Sequence, residues 1–184
     1  SSLLVYRTLL EDVRRPEQIP AGTHLPWLRT LVVTQGVLPN SNSVPGLPSL
    51  LLTNVNHILN KLDELTIIVN NNKPDIVAIT ETWLSDDISD SVCDLPGYSV
   101  IRRDRQSGIG GGVMFYIHNS LIYRKLVNVS DSNDIFEVLF VSVRPRVLPR
   151  PLSVVIIAVV YSPPWYNASI NNDLCNYILS SIDY

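Results

Sequence analysis

A mixed α/β fold is what this sequence predicts, and three features of the pattern carry the prediction. One strand–helix–strand unit opens the regular part of the chain, four strand-like runs follow it, and an amphipathic stretch closes it. A single crossover unit followed by a meander of strands builds a mixed sheet with helices on its outside. Apolar residues make up 46% of the 184 and the mean hydropathy is +0.17, so the chain can bury a sizeable core. Disorder of the whole chain, which needs low hydrophobicity and high charge, is excluded.

The elements follow in order from residue 49. Leu50-Leu51-Leu52-Thr53 is a short apolar strand. Ile58, Leu62, Leu65 and Ile68 or Val69 then recur at helical spacing, which predicts one amphipathic helix. Asn70-Asn71-Asn72-Lys73-Pro74 ends it, because Asn tolerates a left-handed cap and Pro stops propagation. Asp75-Ile76-Val77-Ala78-Ile79-Thr80 is the second strand, parallel to the first through a right-handed crossover. Residues 98–103, 112–117, 135–143 and 152–161 read as successive strands, with the glycine run 108–112 as the hairpin loop between the first two. Pro145, Pro149 and Pro151 mark another loop, and residues 169–182 form a final helix.

Residues 1–48 differ. Six of the 13 prolines fall between Pro16 and Pro48, beside Asn40-Ser41-Asn42-Ser43. Proline removes backbone donors and restricts the residue before it, so this segment reads as an upstream region or linker, with short elements at 3–10 and 28–33. The domain proper is expected over 49–184.

Charge and apolar runs bound the function. The net charge of −3 argues against a general nucleic-acid binder, but it is unevenly spread. Residues 49–100 hold eight acidic and two basic groups, and residues 101–150 hold eight basic and four acidic. That succession suits a metal-plus-phosphate site, and it also suits ordinary surface decoration. The longest aliphatic run, 154–160, is far short of the roughly 20 residues that cross a bilayer. Cys93 and Cys175 fit no metal or disulfide spacing and read as free thiols. With no basic-then-apolar leader and no initiator Met, the chain is expected to be an intracellular fragment of a longer reading frame.

Three side chains stand at strand ends, where ligands collect in open α/β sheets. Glu81 directly follows the second strand. A lone carboxylate there suits Mg²⁺, which takes one or two carboxylates and completes its shell with water and phosphate; the alternative is an ordinary surface Glu. Asn54 ends the first strand, where it orients a phosphate oxygen or a water, or else caps the helix, a role Asn56 can also fill. Tyr161 ends the last strand and points a phenol to the same edge, or sits there as an amphipathic rim residue. Arg102, Arg103 and Arg105 face a phosphate backbone or solvent. His24, His57 and His118 have no partner at a telling spacing and read as structural.

These motifs come in a familiar order. Asn54 is followed by Asn60-Lys61-Leu62-Asp63-Glu64-Leu65, then by Lys73-Pro74-Asp75-Ile76-Val77-Ala78-Ile79-Thr80-Glu81-Thr82-Trp83-Leu84. Leu95-Pro96-Gly97-Tyr98, Arg102-Arg103-Asp104-Arg105, Gly110-Gly111-Gly112-Val113 and Tyr161-Ser162-Pro163-Pro164 complete the series. From residue 49 to about 182 the chain resembles the endonuclease/exonuclease/phosphatase family, and within it the endonuclease domain of non-LTR, LINE-like retrotransposons. The resemblance implies a four-layer α/β/β/α sandwich of the DNase I-like kind. It implies hydrolysis of phosphodiester or phosphomonoester bonds with Mg²⁺ or Mn²⁺ on Glu81, Asn54 holding the scissile phosphate or the water, and Tyr161 on the phosphate. It further implies DNA as partner, a reverse transcriptase domain downstream and a nuclear location.

Two departures accompany it. His57 stands where many relatives carry Ser, and neither Gly-Asp-Phe-Asn nor Ser-Asp-His occurs in the 184 residues. Those motifs supply the Asp/Asn pair that activates water and the catalytic His with its Asp. The sandwich is therefore expected to be incomplete at its C-terminal side and the chain inactive by itself. The other readings are a non-catalytic remnant or binding fragment, and a repair nuclease or phosphatase of the same fold.

Overall fold

The computed structural model describes residues 3–6, 30–35, 48–126, 135–145 and 154–181, with side chains from residue 48 onward. Among these, nine strands form two sheets. The first sheet takes β3 (Leu50–Asn54), β4 (Ile76–Thr80), β5 (Tyr98–Arg103) and β6 (Val113–His118) in the order β3-β4-β6-β5. The second takes β1 (Leu3–Tyr6), β2 (Thr30–Gln35), β7 (Ile122–Lys125), β8 (Glu137–Arg144) and β9 (Val155–Tyr161) in the order β1-β2-β9-β8-β7. The helices are α1 (Leu62–Asn72) and α2 (Ala168–Ser180).

Three apolar clusters lay these elements out as four layers. Ile76, Ala78, Val113, Phe115 and Ile117 of the first sheet meet Leu139, Val141, Val143, Val155, Ile157 and Val159 of the second. The alternate residues Val77, Ile79, Met114 and Tyr116 face Leu65 and Val69 of α1. On the far side Val138, Phe140, Ala158 and Val160 face Leu174 and Ile178 of α2. The order is helix, sheet, sheet, helix. Strands covered on both faces need apolar residues at every position, which is why β4, β6, β8 and β9 read as runs rather than alternations.

The crossover unit is as expected. β3 and β4 are parallel, with Leu50 opposite Ile76 and Asn54 opposite Thr80. β4–β6 and β5–β6 are antiparallel, so the glycine run is indeed a hairpin loop. Three details differ from expectation. The helix starts at Leu62, and Ile58 belongs to a separate 3-10 turn, because Lys61, at φ −123°, interrupts the helical path between them. Neither Asn54 nor Asn56 caps α1: its N-cap is Lys61, with no side-chain cap bond. The left-handed C-cap residue is Lys73, at φ 46°, rather than an asparagine. The short strand β7 carries no pattern that marks it; its side chains alternate between exposed and half-buried.

Residue 48 is a boundary of composition. Across it β2 pairs antiparallel with β9, Thr30 opposite Val159, and β1 pairs with β2. The expected loop at Pro149 and Pro151, the strand start at 152–153, the helix end at 182, His24 and the rest of 1–47 lie outside the described residues. Cys93 and Cys175 are free thiols. Among the described residues no helix is long and apolar enough to cross a membrane.

Candidate active site

The C-terminal end of β4 is strained in a way its sequence does not announce. Glu81 and Trp83 both adopt left-handed backbone angles, φ 61° and 57°, as do Asn56 and His57 on the loop leaving β3. Each such residue costs about 1–3 kcal/mol and persists only where its surroundings fix it. Here the surroundings are backbone hydrogen bonds on both sides. His57 and Ile58 donate N–H to the carbonyls of Glu81 and Thr82, each at 3.0 Å. Thr82 and Trp83 donate to the carbonyls of Gly112 and Gly111, at 3.3 and 2.9 Å. The segment after β4 is thus clamped between the loop after β3 and the glycine run.

The clamp aims the Glu81 carboxylate at donors from distant parts of the chain. Trp83 Nε1 and the Gly111 N–H donate to Oε2 at 2.7 and 3.0 Å. The Tyr161 hydroxyl donates to Oε1. Burial opposes ionisation of this half-buried group. The hydrogen bonds from Tyr161, Gly111 and Trp83, together with the Arg105 charge, outweigh it and hold the carboxyl below the usual glutamate range. Tyr161 moves the other way: burial, the bond it donates to Glu81 and the two nearby carboxylates keep the phenol firmly protonated.

A second carboxylate organises the same end. Glu137, at the start of β8, is only 9% exposed. Arg105 places Nε (2.9 Å) and Nη2 on its Oε1, and the Gly112 N–H donates to its Oε2. Arg105 also donates to the Ile109 carbonyl at 3.0 Å. The glycines are needed here. A Cβ on Gly111 would sit 2.4 Å from the Arg105 guanidinium carbon, and one on Gly112 would sit 2.3 Å from Thr82 Oγ1.

Of the residues singled out in the sequence, Glu81 and Tyr161 meet directly, and Arg105 joins them, its guanidinium 5.8 Å from the Tyr161 ring centre. Asn54 lies on the adjacent strand end, opposite Thr80, and its Oδ1 accepts the Asn56 N–H at 3.1 Å, which fixes the amide in a tight turn. Arg102 and Arg103 do not join. Arg102 pairs with Asp90 at 2.8 Å and Asp104 at 3.5 Å, and Arg103 donates to the Val138 carbonyl at 3.1 Å. Trp83, Glu137 and the glycine N–H groups were not singled out. Glu137 carries a readable signal: an acidic residue heading an apolar run must be paired if the run is buried.

Among the described residues no three His, Cys, Asp or Glu side chains gather as a metal cage. The donor chemistry instead suits a hard divalent ion held by one carboxylate, with water and phosphate filling the rest. Glu81 fits that role, being kept ionised at a sheet edge.

Two stacked sheets with one helix layer on each face, and an ionised carboxylate at a strand end, define a phosphoesterase-type sandwich. Residues 51–178 match the Endonuclease/Exonuclease/phosphatase family, and the chain belongs to that family. Its layers are those of the DNase I-like fold. No curated protein matches the chain. Enzymes of this family hydrolyse phosphodiester or phosphoester bonds and are generally dependent on divalent metals.

Proposed function

We propose that this chain is the N-terminal portion, residues 49–184, of a DNA-nicking endonuclease of the retroelement type. The observation that carries the proposal is Glu81, ionised at the end of β4 by donors from the glycine run and from the other sheet. The ordered motif series from Asn54 to Pro164 supports the retroelement branch. Such an enzyme acts on nuclear DNA, beside a reverse transcriptase domain on the same polypeptide.

In this reading Glu81 holds Mg²⁺ or Mn²⁺. Bound there, such an ion would supply Lewis-acid polarisation of the phosphoryl oxygens. Tyr161, kept protonated, donates its single hydroxyl hydrogen to Glu81 and, when substrate is bound, to the phosphate instead. Asn54 offers its amide N–H to a phosphate oxygen or to the attacking water. Arg105, paired with Glu137, brings its guanidinium to 5.8 Å from the Tyr161 ring centre. Water attack also needs a base to accept the water proton and an acid to protonate the leaving oxygen. The 184 residues contain neither Gly-Asp-Phe-Asn nor Ser-Asp-His, so the chain alone is expected to bind rather than turn over.

Plasmid nicking with Mg²⁺ tests the proposal, run on the 184-residue chain and on a form extended along its reading frame. The extended form nicks, chelation with EDTA stops it, and Glu81→Gln removes the activity. No nicking by the extended form, or nicking indifferent to Glu81→Gln, rejects the assignment.

A further inference from the structure

An ionised carboxylate has two oxygens and about four lone-pair positions. At Glu81 three of them are taken. Trp83 Nε1 and the Gly111 N–H, at 2.7 and 3.0 Å, both fall on Oε2, and the Tyr161 hydroxyl falls on Oε1. Oε2 is thereby filled, and the open position lies on Oε1. All three donors are neutral, so the negative charge stays available to a cation. Glu137 also accepts three hydrogen bonds, but two of them come from the Arg105 guanidinium, which neutralises it.

The Trp83 indole is held on that oxygen from several sides. Its backbone is left-handed at φ 57°, and its main-chain N–H donates to the Gly111 carbonyl at 2.9 Å. Its ring centre lies 5.7 Å from that of His57. Gly110 makes room for it, since a Cβ there would lie 3.1 Å from Nε1. An indole N–H only donates, so Trp83 occupies Oε2 and adds no ligand of its own. Which cation gains follows from ligand geometry. Mg²⁺ demands a near-ideal octahedron, and the narrow angle between two oxygens of one carboxylate does not fit it. Ca²⁺ takes more oxygens in flexible arrangements and accepts a carboxylate through both. A carboxylate with one oxygen filled serves the first ion fully and withholds an oxygen from the second.

We infer that Trp83 is a specificity-determining residue: with the Gly111 N–H it fills Oε2 of Glu81, limits the carboxylate to ligation through Oε1, and so favours small octahedral ions, Mg²⁺ and Mn²⁺, over Ca²⁺. The inference rests on the reading of Glu81 as the metal-holding residue. It adds which oxygen binds, which ions are preferred and which side chain sets the preference.

Electron paramagnetic resonance of Mn²⁺ on the 184-residue chain tests it, because the bound ion loses the sharp signal of the free one. Displacement of Mn²⁺ by Mg²⁺ and by Ca²⁺ then gives their relative affinities. The wild-type chain releases Mn²⁺ to less Mg²⁺ than Ca²⁺. Trp83→Phe keeps a ring against His57 and removes the N–H; it raises the Ca²⁺ affinity about tenfold and changes that for Mg²⁺ by less than about twofold. A mere loosening of the segment weakens both ions alike. An unchanged ratio of Ca²⁺ to Mg²⁺ affinity in the folded variant overturns the inference and leaves Glu81 as the metal-holding residue. Infrared difference spectra of the wild type against Glu81→Gln, with and without Mg²⁺, decide the matter even if Trp83→Phe does not fold. The antisymmetric and symmetric carboxylate stretches move apart on ligation through one oxygen and together on ligation through both, and the second result overturns the inference. If Mn²⁺ does not bind, or binds equally to Glu81→Gln, the selectivity and the metal-holding role of Glu81 fall together.

Discussion

The two ends of β4 each carry a carboxylate, and they are built differently. At the N-terminal end Asp75 accepts the N–H and hydroxyl of Ser49 at 2.8 and 2.7 Å, and Ser49 Oγ accepts the Asp75 N–H at 2.9 Å. Both bonds to this carboxylate come from one residue, just before the neighbouring parallel strand. At the C-terminal end Glu81 draws on Trp83, the glycine run and the last strand of the opposite sheet, on a left-handed backbone. The first carboxylate fixes register. The second gathers strain, distant donors and a depressed pKa, the combination expected where structure is committed to chemistry.

Substitutions can break that contrast, and the largest effect is expected at Glu81. Glu81→Gln keeps the shape and several hydrogen bonds but removes the charge. Nicking by the extended form should fall by about a hundredfold to a thousandfold, with little change in melting temperature. Asp75→Asn should do the reverse: activity per folded molecule is kept, and urea unfolding shows a loss of about 1 kcal/mol.

Between these extremes lie the supports of the site. Glu137→Ala strips Arg105 of its anionic partner in a buried pair, side chains 14% and 11% exposed, and should cost about 3 kcal/mol by urea unfolding. Gly112→Ala forces a Cβ against Thr82 at φ 83° and should cost about 2 kcal/mol. If either variant unfolds like the wild type, the glycine run is not the brace described above.

The smallest effect is a pH dependence. The folded-state pKa of Glu81 lies below the ordinary glutamate value of 4.5, so its contribution to stability is fully present above that pH. It is lost as pH falls through the lower folded-state value. Melting temperatures measured from pH 6 downward should therefore decline more gently in Glu81→Gln than in the wild type, and parallel curves would contradict the depressed pKa.

Local and nearest-neighbour features were legible in the sequence. The β3–α1–β4 unit shows because apolar spacing changes from strand to helix and back within 30 residues. Glu81 shows because it directly follows an apolar strand, at the sheet end where ligands collect. Tyr161 was visible as a strand end, but its bond to Glu81 was not, since it depends on how two sheets stack. Glu137 and Arg105 are 32 residues apart and meet only after β8 has docked beneath the hairpin loop. The left-handed angles at Asn56, His57, Glu81 and Trp83 follow from tertiary hydrogen bonds, which override local preference. Of the three arginines grouped by sequence, Arg105 reaches Tyr161, while Arg102 pairs with Asp90 and Asp104.

The Tyr161–Glu81 bond closes a span of 80 residues. Loops that long form late, after the shorter contacts that bring their ends together. During synthesis Glu81 leaves the ribosome well ahead of the phenol that orients it. The nascent polypeptide therefore carries the Glu81 carboxylate for some time without the phenol that orients it, and the two meet only once both sheets have closed on each other.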